Sequence, residues 1–107
     1  MANIIRGTTP TLRFKIPFEQ AIIKVAYITF EQNGKDILEK STNDENVELT
    51  DELITIKMSQ EDTLAFSNIN GKAEMQIRIL LTDDTAVASK IYKVSVDRIL
   101  KEGVISG

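Results

Sequence analysis

Lys72-Ala73-Glu74-Met75-Gln76-Ile77-Arg78-Ile79-Leu80-Leu81 is the stretch that decides the fold. Ala73, Met75, Ile77, Ile79 and Leu81 recur at every second position, and Lys72, Glu74, Gln76 and Arg78 fill the places between. A period of two marks a strand with one face in the core and one in water, because successive Cβ atoms point to opposite sides. Asn70-Gly71 marks a break before this strand and Asp83-Asp84 a turn after it. From Ala86 to Val96, Tyr92, Val94 and Val96 share one side, with Ile91, Lys93 and Ser95 opposite. The two segments read as an antiparallel hairpin.

Working back toward the N-terminus, Ser59-Gln60-Glu61-Asp62 has the spacing of a capping box, with Leu64 and Phe66 behind it. It predicts one or two helical turns. Ile54, Ile56 and Met58 alternate, Asp51-Glu52 is a turn, and Val47 and Leu49 form a short strand before it. Thr42 to Asn46 is polar and turn-like. Asn33-Gly34 supplies the two positive-φ residues of a type I′ turn. It therefore joins Ile22–Gln32, with Ala26, Ile28 and Phe30 inward, to Lys35–Ser41 in a second hairpin. Leu12, Phe14 and Ile16 alternate with Thr11, Arg13 and Lys15, between Pro10 and Pro17. Prolines suit strand edges, where a missing N–H costs little.

The expected fold is all-β: an antiparallel immunoglobulin-like β-sandwich of about seven strands with one short helical turn, forming one domain over residues 1–107. A small barrel is the alternative. The Cys…Trp…Cys hallmark of immunoglobulin domains is absent, because the 107 residues include no cysteine and no tryptophan.

Composition narrows the function. There is no histidine, which removes the usual near-neutral acid/base group and the commonest metal ligand. Without cysteine there is no thiol nucleophile, thiolate metal site or disulfide. Thirteen basic residues are interleaved with 16 acidic ones, so no nucleic-acid-binding face is expected. No apolar stretch approaches the roughly 20 residues that span a bilayer, and no signal-peptide core stands at the N-terminus. The expected place of synthesis is the cytoplasm.

The pairs Asp44-Glu45, Asp51-Glu52, Glu61-Asp62 and Asp83-Asp84 are tempting as paired acids. Each falls in a turn or at a helix start, where carboxylates serve local hydrogen bonding. No Ser-x-x-Lys, Gly-x-Ser-x-Gly or glycine-rich phosphate loop occurs, and Lys24, Lys57, Lys72 and Lys90 lie on polar strand faces. No enzyme, metal or cofactor is expected. For a sugar site, which needs exposed rings, Tyr27 is the candidate. The apolar C-terminal cluster Ile99, Leu100, Val104 and Ile105, within a candidate docking tail spanning 98–107, either closes the core or docks on a partner.

The order of features resembles small phage and prophage tail proteins, including the N-terminal immunoglobulin-like domains of baseplate upper proteins. The resembling segments are Arg6-Gly7-Thr8-Thr9-Pro10-Thr11-Leu12-Arg13-Phe14, Met58-Ser59-Gln60-Glu61-Asp62-Thr63-Leu64, Met75-Gln76-Ile77-Arg78 and Glu102-Gly103-Val104-Ile105. Asp83-Asp84-Thr85 stands where that family usually has a glycine-bearing hairpin. The resemblance spans nearly the whole chain, which would be a stand-alone version of the module. It implies a structural role in tail or baseplate assembly, with other tail or baseplate proteins as partners, self-association as a further option, and the virion as a destination. It supplies no catalytic residues. The expected partner-binding residues are Ile99, Leu100, Val104 and Ile105, with Arg6, Gly7, Thr8 and Thr9 as a second contact. A small ligand- or saccharide-binding β-sandwich, built on Tyr27 flanked by acids, is the alternative function.

Overall fold

The computed structural model describes residues 2–67 and 72–107. The expected break at Asn70-Gly71 lies outside the described residues. The strands are β1 (Ala2–Ile5), β2 (Thr11–Lys15), β3 (Ile23–Gln32), β4 (Lys35–Ser41), β5 (Val47–Thr50), β6 (Leu53–Lys57), β7 (Lys72–Leu81), β8 (Ala86–Ala88) and β9 (Tyr92–Asp97). A short helix, α1 (Gln60–Leu64), links β6 to β7, and a 3-10 turn at Gln20–Ile22 precedes β3. One sheet runs β1-β9-β7-β3-β4, with β8 also on β7; the other runs β2-β6-β5. The molecule is an immunoglobulin-like β-sandwich.

The strand that decided the sequence reading is the spine of the larger sheet. Its inward residues meet those of β3 directly, Met75 with Phe30, Ile77 with Ile28 and Ile79 with Ala26. Leu12, Ile54, Ile56 and Val47 close the core from the smaller sheet. Phe66, just past α1, sets its ring edge-on to Phe30 at 5.5 Å. Each large apolar side chain buried here stabilises by about 1.5–3 kcal/mol before chain entropy is subtracted.

The turns form where local chemistry placed them. Asn33 and Gly34 take φ of 54° and 78°, the pair of positive values a type I′ hairpin needs. Ser59 accepts from the Asp62 N–H, and the Asp62 carboxylate answers from the Ser59 N–H, completing the capping box. At Asp83-Asp84 the Asp83 carboxylate accepts from the Thr85 N–H, which holds its pKa below the ordinary value. Asp84 itself takes φ +68°, a conformation usually left to glycine.

Three features depart from the expectation. β1 pairs β9 in parallel, Ile4 beside Val96, so the sandwich is not wholly antiparallel. The run Ala86–Val96 is not one strand: it is interrupted at Ser89, whose own oxygen takes over a ladder bond from Ile77. The described residues therefore hold nine strands where about seven were expected.

Candidate interaction surface

The two ends of the chain meet at one end of the sandwich. After β1 the chain turns at Gly7, with φ +77°, and the Thr8 N–H and hydroxyl both donate to the Ile5 carbonyl. Thr8 in turn accepts from the buried Thr63 hydroxyl of α1. Arg6 donates from Nε to the Phe66 carbonyl at 2.6 Å and from Nη2 to the Leu64 carbonyl at 3.3 Å. These are orphan carbonyls at the helix C-terminus, and a guanidinium is the side chain best shaped to collect them. Nη1 reaches the Glu102 carboxylate at 2.7 Å, so the same side chain also holds the C-terminal segment. Arg6 is thus committed inside the fold, with 13% of its side chain exposed.

Ile99 is half-buried against this turn, where a Cβ on Gly7 would lie 2.9 Å from its Cδ1. The segment then leaves the core: Leu100 is 90% exposed, Val104 52% and Ile105 65%. It is not loose. Gln60 donates to the Ile105 carbonyl at 3.1 Å and accepts from the Ile105 N–H at 2.8 Å, tying the segment across α1. Of the expected contact residues, the structure therefore gathers Arg6 to Thr9 and Ile99 to Ile105 in one place. It uses Arg6, Gly7 and Ile99 as foundation and leaves Leu100, Val104 and Ile105 outward. Gln60 and Glu102 were not among the expected contacts; Gln60 carried only a cap signal, and no local pattern reveals a partner 45 residues away.

One aspartate of each acid pair accepts a backbone N–H. Asp44 accepts from the Ser41 N–H, Asp51 from the Gln20 N–H and Asp62 from the Ser59 N–H. Asp62 also meets Lys40 at 3.0 Å, both side chains being only 13% exposed. Burial pushes the Asp62 carboxyl up, but the Ser59 N–H and the Lys40 ammonium outweigh it and leave the group below its ordinary 3.8. Among the described residues no group of three or more His, Cys, Asp or Glu is placed to hold a metal ion. No described helix is long and apolar enough to cross a membrane.

Tyr27 is 43% exposed on the outer face of the larger sheet. Its cross-strand neighbours are Ser41 and Arg78, not the acids expected beside it. Thr29, one place along that face, is the residue that meets an acid, Glu39. A groove of about 470 Å³ runs elsewhere, between the full length of β2 and the start of β9 at Tyr92–Val94. The Phe14 and Tyr92 rings face each other there with centroids 6.2 Å apart.

No protein-family model matches the chain, and no curated protein matches it in sequence. Among solved structures it is similar to CopC from Methylosinus trichosporium OB3b, at 17% identity and a TM-score of 0.54, covering 96% of this chain and 91% of that one. It is also similar to the immunoglobulin-like domain of mouse leukocyte-associated immunoglobulin-like receptor 1, solved as a strand-swapped dimer. There the identity is 16% and the TM-score 0.48, over 88% of this chain and 84% of that one. At 17% identity the likeness to CopC shows the fold alone.

Proposed function

We propose that this chain is a non-enzymatic structural protein of a phage or prophage tail or baseplate, working by protein–protein contact. The observation that carries the contact reading is the C-terminal ridge. Leu100, Val104 and Ile105 are turned to solvent while the Arg6–Glu102 ion pair and the two-way bond between Gln60 and Ile105 tie their segment to the fold. An apolar strip kept exposed by polar anchors is what a docking surface needs, since ordering is already complete before a partner arrives. The phage setting rests on the sequence resemblance. The partners are other tail or baseplate proteins, reached after synthesis in the host cytoplasm. The absence of histidine and cysteine supports a role without catalysis.

Peptide mass spectrometry on purified tail particles tests this reading. The chain is expected in stoichiometric amount, with crosslinks from Lys101 to a neighbour. Recovery only from the soluble lysate would remove the structural role. A chain ending after Ile99 should then be missing from particles while still folding.

A further inference from the structure

We propose that the outer edge of β2 is a docking slot for an extended, acidic strand donated by a partner protein. This adds a second surface to the protein–protein reading above and rests on it only in kind.

The phase of the ladder sets which main-chain groups are spoken for. The Met58 N–H donates to the Pro10 carbonyl, and the Ile16 N–H to the Glu52 carbonyl. Alternate residues of an antiparallel strand bond to the same neighbour. Leu12 and Phe14 therefore exchange their bonds with Ile56 and Ile54 of β6. Thr11, Arg13 and Lys15 aim their N–H and C=O groups the other way. Among the described residues no strand pairs β2 on that side. The result is a row of donors and acceptors repeating about every 7 Å, the template for one more strand.

The surroundings say what that strand must be. The groove between β2 and Tyr92–Val94 gives it an apolar floor of Leu12, Phe14 and Tyr92. Side chains pointing inward from an added strand must be apolar to cover it. Those pointing outward would stand beside Arg13 and Lys15, both exposed. Among the described residues neither cation enters an ion pair, and Glu48 on the same face lies two strands away. Acidic residues at alternate positions match them, through the cross-strand pairing that stabilises sheets. A second copy presenting its own β2 would bring Arg13 and Lys15 against like charges, which is why the slot favours a different chain.

The test is an NMR titration of the full ¹⁵N-labelled chain with blocked Glu-Val-Glu-Val-Glu-Val, against blocked Lys-Val-Lys-Val-Lys-Val. With the acidic peptide, the amides of Thr11, Arg13 and Lys15 should shift and exchange with deuterium at least about tenfold more slowly. Leu12 and Phe14, already bonded to β6, should keep their exchange rates. Arg13→Pro deletes an outward donor without touching the β6 ladder and should abolish the effect. The double reversal Arg13→Glu with Lys15→Glu, on exposed side chains that leave the core intact, should transfer the preference to the lysine peptide. The proposal is overturned if no β2 amide responds at millimolar peptide, or if both peptides act alike. It is also overturned if those amides are already protected in the free chain and light scattering gives a dimer mass, since a second copy would then fill the slot. Particle composition and this titration touch different residues, so either reading can fail without the other.

Discussion

Gly7 carries more of the architecture than its size suggests. Its φ of +77° would strain any residue with a Cβ, and that Cβ would press on Ile99 Cδ1 at 2.9 Å. Gly7→Ala is therefore expected to cost about 2–3 kcal/mol, part backbone strain and part overpacking. Urea denaturation checks it. Adding Ile99→Ala should return only the packing share, because the backbone strain has nothing to do with the neighbour. A cost below about 0.5 kcal/mol would mean the close approach does not exist. The sequence shows a glycine after Arg6 but not why, since Ile99 lies far along the chain. Gln32 is similar: a polar residue at the end of a predicted strand proves to be buried, donating to the Ser67 and Lys72 carbonyls and accepting from the Ser67 N–H. Single buried polar residues take their meaning from distant partners, and no local pattern announces them.

Elements were legible where alternation ran long enough. β2, β3, β6 and β7 each show several apolar residues at period two, and Asn33-Gly34 names its own turn. β1 does not, because four residues with adjacent isoleucines carry no period, and its stability comes from parallel pairing with the far end of the chain. The break at Ser89 was hidden for another reason. The inward phase changes across it, from Val87 at an odd position to Tyr92 and Val94 at even ones, and no local pattern shows that the Ser89 hydroxyl oxygen accepts from the Ile77 N–H at 3.0 Å while its hydrogen goes to the Lys90 carbonyl. Ser89→Ala should orphan the buried Ile77 N–H and cost about 1–3 kcal/mol, with faster deuterium exchange at that amide. Ser89→Thr keeps the oxygen and should stay near wild type; equal losses in both would place the effect elsewhere.

The capping box of α1 adds a pH dependence at the same scale. Asp62 is lowered in the folded chain, so its contribution is complete above the unfolded carboxyl value and disappears as the pH falls through the folded one. Asp62→Asn removes the charge that faces Lys40 and weakens the cap, an expected loss of about 2–4 kcal/mol at neutral pH. Because the variant has no carboxyl to titrate, the gap from wild type should narrow below about pH 4. Denaturation curves collected from neutral to acid pH measure it, and a constant gap would remove the ion pair from the account.

For the whole molecule, the question is where the domain stops and the proposed docking surface begins. The ladder from β1 to β9 joins both chain ends to one sheet, and Arg6 extends it by donating its N–H to the Asp97 carbonyl. Everything the core needs is in place by that point, except the half-buried Ile99. The residues after it contribute an ion pair whose carboxylate side chain is 62% exposed and the two-way bond between Gln60 and Ile105. Exposed pairs of this kind contribute roughly 0–1 kcal/mol. A chain ending after Ile99 should therefore keep the amide spectrum of the sandwich and lose only about 4–8 °C in midpoint. A chain ending after Asp97 also gives up the Ile99 side chain against Gly7 and should fall further, by about another 1–2 kcal/mol. Association is expected to vanish in both, since both lack Leu100, Val104 and Ile105. If the longer truncate instead unfolds, those three residues belong to the core and their exposure is not available to a partner. If it folds and still associates, the contact surface lies elsewhere on the sandwich, and the free edge of β2 becomes the first place to look.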